Sequence, residues 1–167
     1  MIYLAFGSNL KSKNGNSTFI INKAYYELEK SGLVIKKKSS FYRSKAYPNP
    51  KDPEFINSVA LCVGNVSPIK LLNIILKIEK KFGRFRLEKN SPRTLDIDII
   101  DFKLLKLDIQ NKFYNLKLPH ENLEKRLFVL MPLLEISPLW KSPKTSRSIN
   151  YLINKLSRLK DNKITKL

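Results

Sequence analysis

The sequence predicts an α+β fold of the α/β-sandwich type, in which a ferredoxin-like core has an extended, mostly antiparallel sheet flanked by helices. The main observation is the order of its periodic segments, which runs strand, helix, strand, strand, helix, strand. The second is composition, because 43% of the residues are hydrophobic and the five glycines and nine prolines follow no repeat. Such a composition excludes collagen-like and repeat proteins and argues against disorder.

Local signals set the limits of each core element. Helices are predicted where Ser17 or Thr18, and later Ser67, can act as N-cap residues, and Gly32 and Gly83 then end them. Strands are predicted where short runs are apolar or alternate between apolar and polar residues. The predicted core elements are a strand at 2–8, a helix at 17–31, strands at 33–42 and 55–63, a helix at 67–82 and a strand at 94–102.

Loops and additional elements complete the prediction. Three prolines in residues 44–54 and the many charges in residues 84–92 indicate two loops that are long enough to close over a ligand. The later elements are weaker strands at 103–109 and 112–118, a helix at 121–136 interrupted near Pro132, and a helix at 149–156 capped by Ser146 or Ser148. A single domain is expected over residues 1–160, with a lysine-rich tail at 161–167 that frays.

The net charge of +18 suggests a polyanionic partner, such as a nucleotide, a nucleic acid or an acidic membrane surface. Most of the basic residues are lysines spread along the chain, as an overall compositional bias would produce. The arginines are more informative, because Arg84, Arg86 and Arg93 lie within ten residues and guanidinium groups suit phosphate oxygens. The first apolar run is too short for a signal peptide, and the single Cys62 cannot form an internal disulfide, so we expect a cytoplasmic protein with Cys62 in its core.

Asp96 and Asp98 form the pattern most suggestive of chemistry. Side chains alternate along a strand, so both carboxylates should lie on one face while Ile97 and Ile99 face the core. An isolated Asp-x-Asp is more often an exposed strand face than a metal site. Here, however, several arginines come just before it, and Mg²⁺ bound to a nucleotide triphosphate needs both carboxylates and cations nearby. No glycine-rich phosphate loop accompanies them.

A set of motifs gives the chain a resemblance to one family. In order they are Gly7-Ser8-Asn9-Leu10, Ser39-Ser40-Phe41-Tyr42-Arg43, Phe55-Ile56-Asn57, Ile78-Glu79, Gly83-Arg84-Phe85-Arg86, Pro92-Arg93-Thr94-Leu95-Asp96-Ile97-Asp98-Ile99, Pro119-His120 and Pro132-Leu133. Their order and spacing resemble those of 6-hydroxymethyl-7,8-dihydropterin pyrophosphokinase, an enzyme of folate biosynthesis. The resemblance extends from Ile2 to about Leu139.

The resemblance implies a role for each matched position. Asp96 and Asp98 would bind two Mg²⁺ ions, and Arg84 and Arg93 would be the catalytic arginines. The remaining matched residues divide between the two substrates. Those implied for ATP are Glu79, Arg86, Ile99, His120 and Arg126, and those implied for the pterin are Ser44, Tyr47, Phe55, Asn57 and Phe128.

The implied reaction is an in-line attack by the pterin hydroxymethyl oxygen on the β-phosphorus of ATP, which releases AMP. The implied partners are therefore ATP, Mg²⁺ and the pterin, with no specific nucleic acid, no membrane and a monomeric chain. Asn90-Ser91 departs from the family pattern, which often has Trp-Gly there, and Trp140 is too far along the chain to replace that tryptophan.

Two other interpretations stay open at this point. A ferredoxin-like domain with this charge could bind RNA on its sheet, although the aromatic strand motif of RNA-recognition domains is missing. The chain could also be a catalytically inactive relative. That interpretation is disfavoured because both aspartates and both candidate catalytic arginines are present.

Overall fold

The computed structural model describes residues 1–11, 15–47, 49–84, 91–158 and 163–167. The strands are β1 (Ile2–Ser8), β2 (Val34–Lys38), β3 (Tyr42–Ser44), β4 (Phe55–Val63), β5 (Asp96–Phe102), β6 (Leu107–Gln110), β7 (Asn115–Leu118) and β8 (Ile164–Lys166). The helices are α1 (Ser17–Lys30), α2 (Pro68–Lys81), α3 (Leu127–Ile136) and α4 (Ile149–Ser157), with a short 3₁₀ turn at Leu123–Lys125 before α3.

The main sheet has the order β5-β1-β4-β3-β8, with β2 paired to a second stretch of β4. Every pair of neighbouring strands is antiparallel. The first four strands along the chain, with β2 and β3 counted as one, occur in the order expected of a ferredoxin-like core, so the predicted α+β sandwich is confirmed. Strands β6 and β7 form a separate hairpin.

The strand predicted at 33–42 is divided into β2 and β3. Ser39 lies at the division, where its Oγ accepts the backbone N–H of Val59 at 3.0 Å. A side chain thus takes the place of a backbone acceptor at this point of β4, and the ladder restarts at Tyr42. The break depends on a side-chain contact between distant residues, which hydrophobic alternation does not reveal.

The predicted caps of α2 and α4 are confirmed, whereas the predictions for α1 and α3 need correction. Ser67 caps α2 by accepting the N–H of Lys70, and Ser148, one of two candidates, caps α4. In α1 the cap is Asn16, whose side chain accepts the N–H of Phe19, so the prediction of Ser17 or Thr18 was one residue late. The helix predicted over 121–136 begins only at Leu127, after the 3₁₀ turn, and it continues through Pro132 as α3 instead of breaking there.

Two hydrophobic cores lie on opposite faces of the sheet. Helices α1 and α2 cover one face, where Ile2, Leu4 and Phe6 of β1 point, and the buried Cys62 belongs to this core, as predicted. Helices α3 and α4 cover the other face, where Tyr3 of β1 points. Among the described residues, no helix combines the length and apolar character that crossing a lipid bilayer requires.

The predicted frayed tail is corrected for its last residues. Ile164–Lys166 form β8, which pairs antiparallel with β3 from Ser44 to Tyr42, and Leu167 donates its N–H to the carbonyl of Phe41 at 2.9 Å. Lys166 also pairs with Glu135 of α3 at 3.3 Å. Residues 164–166 pair here because β3 would otherwise be an unpaired edge strand, whose backbone groups offer hydrogen bonds to any extended segment.

Candidate active site

Most of the predicted site residues meet at one end of the sheet, mainly on the face covered by α3. The register aligns three neighbouring strands there, with Asn57 of β4 opposite Gly7 of β1 and Gly7 opposite Asp96 of β5. Two residues further along, Ala5 lies opposite Asp98. Gly7 of the central strand is therefore flanked by polar residues on both sides, which leaves a trough over Gly7 between β4 and β5.

Asp96 and Asp98 share one face of β5, as predicted. Their side chains are 17% and 30% exposed, whereas Ile97 and Ile99 are buried in the core under α1 and α2. A bulge then adds Ile100 to the strand, because Leu4 pairs with Ile99 and Tyr3 pairs with Asp101. The alternation thus holds over the two aspartates and changes only beyond them.

Arg84 and Arg93 both contact Asp96. Arg84 Nη1 lies 2.5 Å from Asp96 Oδ1, and Arg93 Nε lies 2.9 Å from Oδ2. Each oxygen of one carboxylate therefore faces a different guanidinium group. The two candidate catalytic arginines, which lie on either side of the 84–92 loop, converge on one candidate metal ligand.

Glu79 links α2 to this cluster. It is 3% exposed, and its Oε1 accepts the backbone N–H of Ile97 at 2.8 Å while also pairing with Arg84. One buried carboxylate oxygen thus fixes the start of β5 and one arginine together. Glu79 was predicted to contact ATP; here it contacts Arg84 and the backbone of Ile97, and the ATP contact stays a prediction.

Asn9 is a site residue that sequence reasoning did not assign. Its Oδ1 accepts the N–H of Arg93 at 2.7 Å, and its Nδ2 donates to the carbonyl of Pro53 at 3.0 Å. The backbone N–H of Asn9 also donates to the carbonyl of Arg93 at 3.1 Å. Asn9 therefore joins the end of β1, the loop before β4 and the segment before β5. The available signal was its place directly after a buried strand in the Gly-Ser-Asn turn.

Asp98 is surrounded by His120 and Arg126. Arg126 Nη1 lies 2.7 Å from Asp98 Oδ2, and His120 Nε2 lies 3.7 Å from the same oxygen. Burial lowers the pKa of His120, and the nearby Arg126 cation adds to this effect against the opposing attraction of Asp98. Since His120 Nδ1 accepts the N–H of Asn122, the neutral ring has its proton on Nε2, directed toward the Asp98 side of the site.

Phe55, Asn57 and Ser44 form the opposite side of the trough. The Asn57 amide is buried, and its Nδ2 donates to Ser44 Oγ at 3.0 Å and to the carbonyl of Tyr42 at 3.3 Å. These bonds hold the amide in one orientation. A Cβ built on Gly7 would lie 3.7 Å from Asn57 Oδ1 and 3.5 Å from the Phe55 ring, so both groups border the empty strip above Gly7.

Each of the two predicted pterin-stacking aromatics has an arginine over its ring. The guanidinium carbon of Arg93 lies 5.1 Å from the centroid of Phe55, and that of Arg126 lies 5.7 Å from the centroid of Phe128. Cation–π distances of this size are attractive. Arginines of the aspartate cluster therefore also contact the aromatic residues, and the two halves of the site are in direct contact.

Three predicted residues stand apart from this arrangement. The Ile99 side chain lies in the core on the opposite face from the aspartates, so any nucleotide contact there would involve its main chain. Tyr47 is 85% exposed in the loop between β3 and β4 and does not join the cluster. Arg86 lies outside the described residues.

The electrostatic balance of the described site is close to neutral. The carboxylates of Glu79, Asp96 and Asp98 are paired with the guanidinium groups of Arg84, Arg93 and Arg126. Burial nevertheless raises the pKa of Asp96, and the adjacent Asp98 carboxylate raises it further, against the lowering influence of the arginines. A cation placed between the two aspartates would relieve this repulsion.

The donor set suits Mg²⁺ bound together with a phosphate ligand. In the described parts of the chain, no group of three or more His, Cys, Asp or Glu side chains could enclose a metal ion by itself. Asp96 and Asp98 offer only oxygen ligands, and Mg²⁺ is commonly bound through one or two carboxylates with substrate phosphates and water as the other ligands. The site thus fits a metal that arrives with a nucleotide.

Comparison with known proteins places the chain in one family. The family model described as 7,8-dihydro-6-hydroxymethylpterin-pyrophosphokinase (HPPK) matches residues 3–138. A pyrophosphokinase of Haemophilus influenzae is 36% identical over 165 residues, which are 99% of this chain and 96% of that protein. The Synechocystis enzyme of the same name is 41% identical over 126 residues, covering 75% of this chain but only 62% of that protein.

Solved structures share the fold. Plasmodium falciparum HPPK-DHPS with pteroate superposes with a TM-score of 0.76 over 99% of this chain and 47% of that one, at 16% identity. The structure with pterin and p-hydroxybenzoate gives a TM-score of 0.74 over 99% of this chain and 46% of that one, also at 16% identity. With the family model matching most of its length and a relative aligned over almost all of it, this chain belongs to the 7,8-dihydro-6-hydroxymethylpterin-pyrophosphokinase family.

Proposed function

We propose that this chain transfers the diphosphate of ATP to 6-hydroxymethyl-7,8-dihydropterin, forming AMP and the pterin diphosphate in folate biosynthesis. Membership of the family supports the reaction class. The observation that supports the reaction most directly is the trough itself. It has an arginine and carboxylate cluster at β5 on one side and an aromatic and amide group at β4 on the other.

The arginine cluster is the proposed site of the triphosphate. Arg84, Arg93 and Arg126 each pair with an aspartate now, and a polyphosphate offers the same guanidinium groups more oxygens. If the three arginines exchanged their aspartate partners for phosphate oxygens, their positive charge would lie against the nucleotide. Asp96 and Asp98 would then be available as metal ligands. The neutral His120, with its proton on Nε2, can donate to a phosphate oxygen beside Asp98.

Asp96 and Asp98 would hold the proposed two Mg²⁺ ions. When bound, these ions would neutralise charge on the triphosphate and orient its β-phosphorus for in-line attack. The protein residues would supply the rest: Arg84 and Arg93 stabilise the charge that develops on the transferring group, and Glu79 and Asn9 keep those arginines in place. Positioning accounts for much of the remaining acceleration.

The pterin is proposed to lie over the β4 side of the trough. Phe55 and Phe128 would stack on its two faces, as flat heteroaromatic rings favour, once Arg93 and Arg126 turn toward the nucleotide. Asn57 would hydrogen-bond the polar edge of the ring through its Oδ1. This orientation directs the 6-hydroxymethyl arm across β1 toward Asp96, where the reaction would occur.

Several wider expectations remain predictions. They are closure of the 44–54 and 84–92 loops over the reactants, a cytoplasmic location, a monomeric state and the absence of a specific nucleic-acid or membrane partner. Residues 85–90 of the second loop lie outside the described residues, so the closure prediction rests on the sequence alone. Closure would exclude water, which would otherwise hydrolyse ATP at the β-phosphorus.

The proposal is tested by product analysis of the purified chain. With ATP, Mg²⁺ and 6-hydroxymethyl-7,8-dihydropterin, mass spectrometry should detect AMP and the pterin diphosphate in equal amounts. Asp96→Ala should keep the parent's far-ultraviolet spectrum and lose about 10³-fold or more in turnover, since each metal is expected to contribute several kcal/mol. An Asp96→Ala variant with full Mg²⁺-dependent activity would contradict the proposed metal site.

A further inference from the structure

Gly7 occupies the middle of the trough without placing any side chain in it. It lies in the central strand β1, opposite Asn57 on one side and Asp96 on the other. The neighbouring side chains border this position closely. A Cβ built at residue 7 would lie 3.5 Å from Phe55, 3.7 Å from Asn57 Oδ1 and 3.9 Å from Asp96 Cβ. The site face of β1 therefore has a gap one residue wide.

Neither backbone conformation nor packing accounts for a glycine at this position. The described glycines with left-handed φ angles are Gly15, Gly32 and Gly83, so Gly7 has a backbone that any residue adopts. The distances of 3.5 to 3.9 Å are ordinary van der Waals contacts, which a methyl group would fill without a clash. Glycine within a strand also weakens it, because it loses more conformational freedom and has no side chain to pack. An otherwise unfavourable glycine in a strand is typical of a place where a ligand approaches the backbone closely.

The gap ends at the next position on the same face. Ala5, two residues earlier, has a Cβ, is buried and packs in the core beneath α3. On this side the opening therefore ends at Ala5. Adjacent strands lie about 4.8 Å apart, so Asn57 and Asp96 are separated across β1 by about 10 Å between their backbones. A substrate that binds both must cross this strip.

We propose that Gly7 is a specificity-determining residue for the acceptor substrate. The missing Cβ provides the passage through which a short, unbranched one-carbon arm on C6 of the pterin reaches the proposed triphosphate site at Asp96. This inference rests on the proposed function, which places the ring at Asn57 and the phosphates at Asp96. It adds that the width of the gap selects the pterin by its arm.

The test compares Gly7→Ala with Gly64→Ala. Gly64 is a matched control, because its added Cβ would also first meet neighbours at 3.5 to 3.6 Å and its φ is not left-handed. Gly64 comes directly after β4 and is far from the site. At about 3.3 Å per residue, it lies about 23 Å along the strand direction from Asn57. Dissociation constants are measured by fluorescence titration for 6-hydroxymethylpterin and for pterin without the arm, and by calorimetry for a non-hydrolysable Mg²⁺-ATP analogue.

In Gly7→Ala the dissociation constant of 6-hydroxymethylpterin should rise by about tenfold or more, because one methyl group over-packs the path of the arm. Constants for pterin and the nucleotide analogue should stay within about threefold, and the thermal midpoint should equal or exceed that of the parent. Gly64→Ala should match the parent in all of these measurements. Equal losses for both pterins, or no loss for either, would overturn the inference.

Two further results keep this inference separate from the proposed function. A parent that binds 6-hydroxymethylpterin but forms no AMP would refute the proposed reaction, and the ratio of the two pterin constants in Gly7→Ala would still decide the role of Gly7. If Gly7→Ala does not fold, the parent itself gives the answer. It should bind a pterin with a branched first carbon on C6 at least about tenfold more weakly than 6-hydroxymethylpterin. Equal binding would overturn the inference.

Discussion

Replacing Glu79 by Gln tests how the site holds its arginines. The Glu79 side chain is 4% exposed, and its Oε1 serves both the N–H of Ile97 and the guanidinium of Arg84. Gln keeps the shape and can still accept from Ile97, so the backbone of β5 should be unchanged. What disappears is the negative charge facing Arg84, which then has only Asp96 as an anionic partner among the described residues.

The expected cost follows from these contacts. A hydrogen bond to a charged group contributes about 1–2 kcal/mol more than a neutral one, so the free energy of unfolding should fall by about that amount. For a chain of this size the thermal midpoint should drop by about 2–8 °C. Because Arg84 remains paired with Asp96, the loss should stay below the cost of about 3–5 kcal/mol for leaving a buried charge without a partner. Turnover should fall by about tenfold as Arg84 becomes less firmly placed.

Denaturant unfolding and steady-state turnover measure the two effects. Glu27→Gln is the matched control, because Glu27 pairs with Lys81 at 2.8 Å but that lysine side chain is 59% exposed. An exposed pair should contribute less than about 1 kcal/mol and nothing to turnover. If Glu79→Gln unfolds like the parent, or loses no more than Glu27→Gln in both assays, Glu79 does not anchor Arg84 in the way we describe.

Further predictions concern the arginines, the stacking residues, pH and RNA. Arg93→Ala should bind the Mg²⁺-ATP analogue and the pterin with dissociation constants within about tenfold of the parent but lose about 10²–10⁴ in kcat. A loss of nucleotide affinity as large as the loss of kcat would mean that Arg93 binds the ground state instead. Phe128→Ala should show the opposite profile in titrations and single turnovers, with weaker pterin binding and a less affected chemical step. Burial raises the pKa of Glu135, but hydrogen bonds from Tyr42 and Ser40 outweigh it and the net pKa is lowered. The free energy of unfolding of the parent should therefore exceed that of Glu135→Gln above pH 4.5, and this difference should disappear as pH falls through the lowered folded-state pKa. Urea titrations at several pH values measure it, and a difference that is constant with pH would contradict the prediction. Generic RNA should bind weakly and without sequence preference, with affinity falling steeply as salt rises; a tight, sequence-selective complex would contradict this.

The core elements could be predicted because their signals are local. Alternation places Asp96 and Asp98 on one face of β5, and the Ser67-Pro68 pair starts α2 where expected. Such patterns depend on residues close together in the chain, so one sequence suffices to identify them. The family motifs then indicated which polar residues would meet.

The missed features depend on residues far apart in the chain. The division between β2 and β3 rests on Ser39 bonding to Val59, and β8 is ordered by the free edge of β3. The position of Asn9 between Pro53 and Arg93 is likewise visible only when three segments have been brought together. Periodicity does not contain this information, because each contact depends on the strand order of the completed sheet.

The reaction itself is tested most directly by following the phosphorus atoms of ATP. In a single turnover with ATP radiolabelled at the β-phosphorus, the account predicts that all label in product appears on the pterin. With the label at the α-phosphorus, it should remain in AMP, because the attack breaks the bond between the α,β-bridging oxygen and the β-phosphorus. Label from the β-position in ADP or in free diphosphate, with an unmodified pterin, would contradict diphosphate transfer by this site.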